Sequence, residues 1–136
     1  MGFRIIDNDL QRCQEWVSGK GVVGSDLVIT IGLENNGKLI SVAGFNQFNG
    51  RSAFVHFYMD KASFVPKKYV WFIHYYAFVQ CGLSMLIAAM DSTNEKILRL
   101  AMHLGYEEKY RLIGASPTGD VVICTLNKQY CKYLGF

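Results

Sequence analysis

The chain changes its hydrophobic period several times, and each change marks an element. Residues 7–18, "DNDLQRCQEWVS", set Leu10, Cys13, Trp16 and Val17 at offsets of three and four behind an acidic or amide cap, which predicts a first helix. "GKGVVG" ends it with three glycines. The β-branched run "DLVITIGLE" (26–34) closes on the turn "NNGK"; "KLISVAGFNQF" (38–48), a second turn "NG" and "RSAFVHFYMD" (51–60) complete a predicted antiparallel meander of three strands. From Pro66 the period becomes helical. Pro66 suits a first turn, where a missing N–H costs nothing, and Val70, Ile73, Ala77 and Cys81 line one face to about Gly82, with Phe72, Tyr75, Tyr76 and Val79 opposite. "LSMLIAAMD" (83–91), a short apolar run after a helix, predicts a buried, parallel-sheet strand. "STNEKILRLAMHLGYE" opens on capping residues, spaces Ile97, Leu98, Ala101 and Leu104 helically and stops at Gly105. "EKYRLIG" and "DVVICTLN" bracket the turn "ASPTG" as a final hairpin.

The predicted order is helix, three strands, helix, strand, helix, two strands. No repeat, low-complexity segment or linker divides it, so the expectation is one domain over residues 1–136, long enough to bury a core without disulfides or metals. Hydrophobic residues make up 51% of the chain and charged residues only 18%, which excludes a disordered chain. A net charge of +3, with lysines and arginines scattered rather than clustered, gives no support to a nucleic-acid partner. Cys13, Cys81, Cys124 and Cys131 show neither a CxxC pair nor zinc spacing, and read as free thiols in a reducing compartment. Polar residues interrupt "MGFRIIDNDLQRC" before any signal-like run, and Gln80, Gly82 and Ser84 interrupt the helix after Pro66 short of a membrane span. The expectation is a cytoplasmic protein with no membrane partner.

Three stretches carry a resemblance. "MDSTNEKILRLAMHLGYEE" resembles a strand followed by an Asn that opens a helix, with a Gly-aromatic pair eleven residues on: Asn94, Gly105 and Tyr106. "FVHFYMD" followed by "KKYVWFIHYYAF" is similar to a strand carrying a His ahead of a helix with a basic start, and "GDVVICTLNKQYCKYL" to a closing strand and tail. Together these resemble the GNAT superfamily of acyl-CoA-dependent N-acyltransferases, in a subgroup found in proteobacteria and their phages, over most of the chain from about Leu27. The resemblance implies an α/β fold: a mixed central sheet of about six strands, an antiparallel N-terminal meander and helices on both faces. Two positions depart from the family. Its glycine-rich pyrophosphate loop corresponds to "DKASFVPKK", which has no glycine, and the Tyr expected seven residues after the Asn is Ala101.

The resemblance implies acetyl-CoA as co-substrate and an unidentified primary amine as acceptor, with a homodimer left open. The pantetheine arm would lie along "HFYM" (56–59), so Phe57 and Met59 are singled out for their backbone position, one N–H polarising the thioester carbonyl. Lys67 and Lys68, at a helix start, would face the pyrophosphate; their alternative is a solvated helix end. Asn94 would bond the pantetheine amides, or simply cap its helix. An ammonium must lose a proton before it attacks, and His56, alternating with Phe54 and Tyr58 on one strand face, is the candidate base; its alternative is a hydrogen-bonded core histidine. Tyr58, a water or no side chain at all would serve the departing thiolate. His74 reads as packing and His103 as exposed, while Tyr69, Trp71, Phe72, Tyr75 and Tyr76 read as core and Cys81 and Cys124 as small apolar fillers. A GNAT-fold protein that has lost catalysis, and binds coenzyme A or a protein partner, is the other reading, motivated by the two departures.

Overall fold

Asn36 and Gly37 both sit at positive φ (53° and 85°), the requirement of a tight two-residue hairpin whose twist matches that of its strands. In the computed structural model, which describes residues 2–19, 26–60 and 66–134, this turn joins β2 (Ile29–Asn35) to β3 (Lys38–Asn46). The next turn is built on Asn49, whose Oδ1 accepts from the N–H groups of Arg51 (2.9 Å) and Ser52 (2.8 Å) and starts β4 (Ser52–Met59). β1 (Phe3–Ile6), an element the hydrophobic pattern does not predict, pairs antiparallel with β2. It is a four-residue edge strand in which only Ile6 is buried, too short to establish a period of two.

α1 (Leu10–Gly19) follows, with the Asp9 carboxylate accepting from the Arg12 N–H. α2 (Lys67–Tyr75) runs on into a π-helical turn, Tyr76–Gln80, and leads to β5 (Met85–Asp91). α3 (Glu95–Leu104) stops at Gly105, whose φ of 102° is the left-handed cap predicted for it. β6 (Glu107–Leu112) and β7 (Val121–Asn127) form the final hairpin. The seven strands make one sheet in the order β1-β2-β3-β4-β5-β7-β6, antiparallel throughout except where β4 and β5 run parallel. The expected mixed sheet is present, with seven strands rather than about six. "GKGVVG" beyond Gly19, and residues 61–65 of "DKASFVPKK", lie outside the described residues.

Two apolar clusters lie on opposite faces of this sheet. Ile6, Cys13, Val17, Leu27, Leu39 and Val42 pack α1 against β1–β3. On the other face Tyr69, Ile73, Phe78, Ile97, Ala101 and Leu104 join α2 and α3 to the inner residues of β2–β5 and β7. Tyr69 is 2% exposed and donates to the Ile31 carbonyl at 2.9 Å, fixing α2 across the meander. Four expectations need correction. In the α1 stripe Cys13 and Val17 carry the burial, while Leu10 is 41% exposed. Of the aromatic stripe only Tyr69 is core: Trp71, Phe72, Tyr75 and Tyr76 are half-buried, Trp71 and Tyr75 lying against one another at 4.8 Å. "LSMLIAAMD" is buried on one face alone, through Leu86, Ala88 and Met90; on its other face Met85, Ile87 and Asp91 are half-buried and Ala89 is exposed. The half-buried Cys81 is likewise less of a core filler than Cys124, which is fully buried.

Candidate active site

β4 and β5 are in register only from Ser52 to Phe54 and from Met85 to Ile87. Beyond that the strands separate, so His56, Phe57, Tyr58 and Met59 keep β3 as a neighbour and turn their other edge to the opening. Along a strand, alternate N–H and C=O groups point to opposite edges, so this edge offers unpaired main-chain groups to any extended ligand that enters. Phe57 and Met59 send their side chains to the α2–α3 face, Phe57 edge-on to Tyr106 with centroids 6.1 Å apart. Phe54, His56 and Tyr58 point the other way as a stacked column, with successive centroids 6.4 and 6.5 Å apart.

His56 is held by Asn46, whose Oδ1 lies 3.0 Å from Nε2. The Asn46 amide nitrogen donates to the Asp26 carbonyl at 3.2 Å, which turns Oδ1 toward the imidazole. Nε2 must therefore carry the hydrogen and donate it, leaving the lone pair on Nδ1. Burial pushes the His56 pKa below its ordinary value, so the ring is neutral at pH 7. Burial pushes the Tyr58 hydroxyl up, so it stays protonated over the same range and acts there only as a donor of its proton.

Lys67 and Lys68 open α2 and are exposed; Pro66 precedes them in extended conformation (φ −66°, ψ 146°), with no side chain capping the helix. The first-turn N–H groups and two ammonium groups thus stand together at the end of β4. Asn94 caps α3, its Oδ1 accepting from the Ile97 N–H at 3.3 Å, a role compatible with reaching a ligand through its amide nitrogen. Ala101 is 1% exposed and faces the core, so this helix offers no hydroxyl at that position. His74 is fully buried, as expected for packing: Nδ1–H donates to the Val70 carbonyl at 2.8 Å and Nε2 accepts from the Tyr106 hydroxyl at 3.0 Å. His103 is exposed, also as expected.

Sequence reasoning missed three contributors. Asn46 lies ten positions from His56 and meets it only through strand pairing. Lys96 donates to the Asp60 carbonyl at 3.0 Å, drawing the start of α3 to the end of β4 and placing a third ammonium beside the opening. Asp91, where β5 ends, accepts from Ser116, from Thr118 (2.5 Å) and from the hydroxyl and N–H of Thr93 (2.6 and 2.7 Å). These bonds, that from Ser116 foremost, hold its carboxyl far below the usual carboxylate range and tie the β6–β7 loop to the opening. Spacing gives no signal for any of the three.

Solved structures superpose on nearly the whole chain. A spermidine N-acetyltransferase from Vibrio cholerae (SpeG, N152L mutant) aligns over 98% of this chain and 96% of its own with a TM-score of 0.77 at 14% identity. An acetyltransferase assignment from Salmonella typhimurium (yncA), solved with acetyl-CoA, aligns over 93% and 94% with a TM-score of 0.71 at 16% identity. The chain has the GNAT fold. A dodecameric form of the Vibrio cholerae enzyme matches equally well, with a TM-score of 0.76. No family model and no curated protein sequence matches the chain. Ala101 and the glycine-free interval 60–68 remain departures from the family pattern.

Proposed function

We propose that this chain, as one domain, is an acetyl-CoA-dependent N-acetyltransferase that moves the acetyl group directly to a primary amine. The observation that carries the reading is the parting of β4 from β5 after three paired positions, with His56 beside it and its Nδ1 lone pair fixed by Asn46. The fit to acetyl-CoA rests on the main-chain edge of residues 56–59, where backbone of Phe57 and Met59 would pair with the pantetheine arm, and on the helix start at Lys67 and Lys68 for the pyrophosphate. The Asn94 amide nitrogen would reach the pantetheine amides. When bound, acetyl-CoA supplies the acyl carbon as an activated thioester.

Four roles then follow from the chain's own groups. A backbone N–H of the 56–59 edge stabilises negative charge on the carbonyl oxygen. His56 takes a proton from the attacking amine at Nδ1. The new N–C bond forms as the C–S bond breaks, and Tyr58 donates its proton to the departing thiolate. Two strand-face neighbours with centroids 6.5 Å apart can serve two heteroatoms leaving and joining one carbon. The buried Ala101 favours a second reading, in which coenzyme A binds without transfer.

Thermal denaturation with and without acetyl-CoA tests the ligand, since binding to the folded state alone adds about 2.7 kcal/mol at a hundredfold excess over Kd. Thiol release in the presence of a panel of primary amines then separates the two readings. Unchanged melting at millimolar acetyl-CoA would end both.

A further inference from the structure

On the sheet face that carries His56, the apolar cluster formed with α1 includes no described residue of β5 or β7. Ser52, Met85 and Asn127 stand side by side across β4, β5 and β7, and Phe54 and His56 follow Ser52 on the same pleat. At the Ser52 end this floor runs into an open cavity of about 1040 Å³ whose rim carries Arg51 and Lys128. None of its described lining residues is Asp or Glu, and neither cation joins an ion pair among the described residues. The strand carboxylates elsewhere on this face are engaged: Glu34 with Arg12, Glu107 with Lys109 at 3.3 Å, and Asp91 with its hydroxyl donors. Between cavity and His56 the floor is apolar, with Phe54 beside Ile87. The four residue steps from Ser52 to His56 span about 13 Å at ~3.3 Å per step.

We infer that this face binds an extended acidic polypeptide segment, with the acceptor lysine at His56 and a carboxylate about four residues away, at ~3.3 Å per extended residue, on Arg51 and Lys128. The inference rests on the acetyltransferase reading and names its acceptor class. Charge decides between acceptors. A polyamine, the acceptor named for the Vibrio cholerae neighbours, would bring positive charge to both cations and meet no carboxylate among the cavity's described lining residues. A lone small amine would leave the floor and the cavity unused.

The experiment compares an extended peptide carrying one lysine with Asp or Glu three to five residues away, the same peptide with Asn or Gln in those places, and spermidine. With acetyl-CoA in excess, the acidic peptide is expected to show a KM about five- to tenfold below its amide counterpart, the size of two exposed charge contacts, and to exceed spermidine in kcat/KM. In the double variant R51E/K128E that preference disappears, and in R51Q/K128Q it shrinks. Binding of the labelled acidic peptide, read by fluorescence anisotropy, follows the same order without requiring turnover, and weakens on going from low salt to about 0.5 M. Faster transfer to spermidine, or an acid preference that survives R51E/K128E, would overturn the inference while leaving the acetyltransferase reading intact. Failure of acetyl-CoA to bind would remove that reading, and the anisotropy series would still decide whether the face holds an acidic peptide.

Discussion

Gly44 lies in β3 directly opposite His56 and Thr30, and a methyl group added there has no room. Its Cβ would come within 2.4, 2.6 and 2.9 Å of Cδ1, Cδ2 and Cγ of Leu27, so the whole head of that side chain would have to leave rather than one atom turn aside. Leu27 is 6% exposed, and its N–H is held by the Gln14 side chain at 3.1 Å, which limits how far it can retreat. Overpacking of this kind costs about 1–3 kcal/mol, and the reduced freedom of the unfolded chain on replacing glycine returns about 0.4–1 kcal/mol. The expected loss for Gly44→Ala is therefore about 1–2 kcal/mol. At about 2.1 cal/mol/K per residue, 136 residues give an unfolding entropy near 0.29 kcal/mol/K, so Tm should fall by about 3–7 °C in a circular dichroism melt. In a Leu27→Ala background the clash is gone, and adding Gly44→Ala should cost nothing further, although Leu27→Ala alone is itself destabilising by about 2–5 kcal/mol. A Gly44→Ala protein as stable as the parent, or one that loses the same amount in both backgrounds, would refute the reasoning.

His56→Ala should lower acetyl transfer by about 10²–10⁴-fold. In the parent, the rate should fall as pH drops through the depressed pKa of His56, below the ordinary 6.5; in the variant, that limb should vanish from a kcat/KM profile. Burial also lowers the pKa of His74, so below pH 6.5 the unfolded chain takes up a proton before the folded one does. Stability is thus fully present above 6.5 and falls by about 1.4 kcal/mol per pH unit for each such histidine until the folded pKa is passed; urea midpoints between pH 7.5 and 5 should show a shallower slope in His74→Leu. Replacing Lys67 and Lys68 together by Glu should raise the Kd for acetyl-CoA by about tenfold or more, measured by calorimetry, and by progressively less as salt is added.

The legible parts of this chain are those whose cause is local. Asn36-Gly37 names its own turn, Asn94 and Gly105 bound α3, and a lone histidine in an alternating strand announces a face. What escaped is long-range. β1 is a strand only because β2 is there to receive it. The apolar run 83–91 has no period that distinguishes a strand covered on both faces from one covered on one, so the half-buried side of β5 was invisible. The aromatics of α2 have the composition of a core, yet Trp71 and Tyr75 are only half-buried, which depends on how α2 is turned against the sheet. The candidate site divides in the same way. His56 could be picked out as a residue, whereas its usable nitrogen depends on Asn46 and, behind it, on the carbonyl of Asp26.

The two departures from the family pattern bear differently on the proposed chemistry. Glycines in a phosphate loop let main-chain N–H groups approach the ligand, and a helix start without a capping side chain presents the same groups; the exposed Lys67 and Lys68, with Lys96 held across the opening by Asp60, add positive charge there. In the proposed site that departure adds ammonium groups to main-chain contacts, so its consequence would be an affinity more sensitive to salt than a glycine loop would give. Ala101 cannot be made good in this way, because it points into the packed core and the helix has no hydroxyl to offer in its place. In the proposed chemistry proton delivery would then fall to water or to Tyr58 on β4, whose hydroxyl burial pushes up. Base and acid on one strand share one rigid backbone, so a shift of β4 relative to the opening would disturb both at once. The packing that fixes this strand, Leu27 against Gly44 included, is therefore part of what would set the rate.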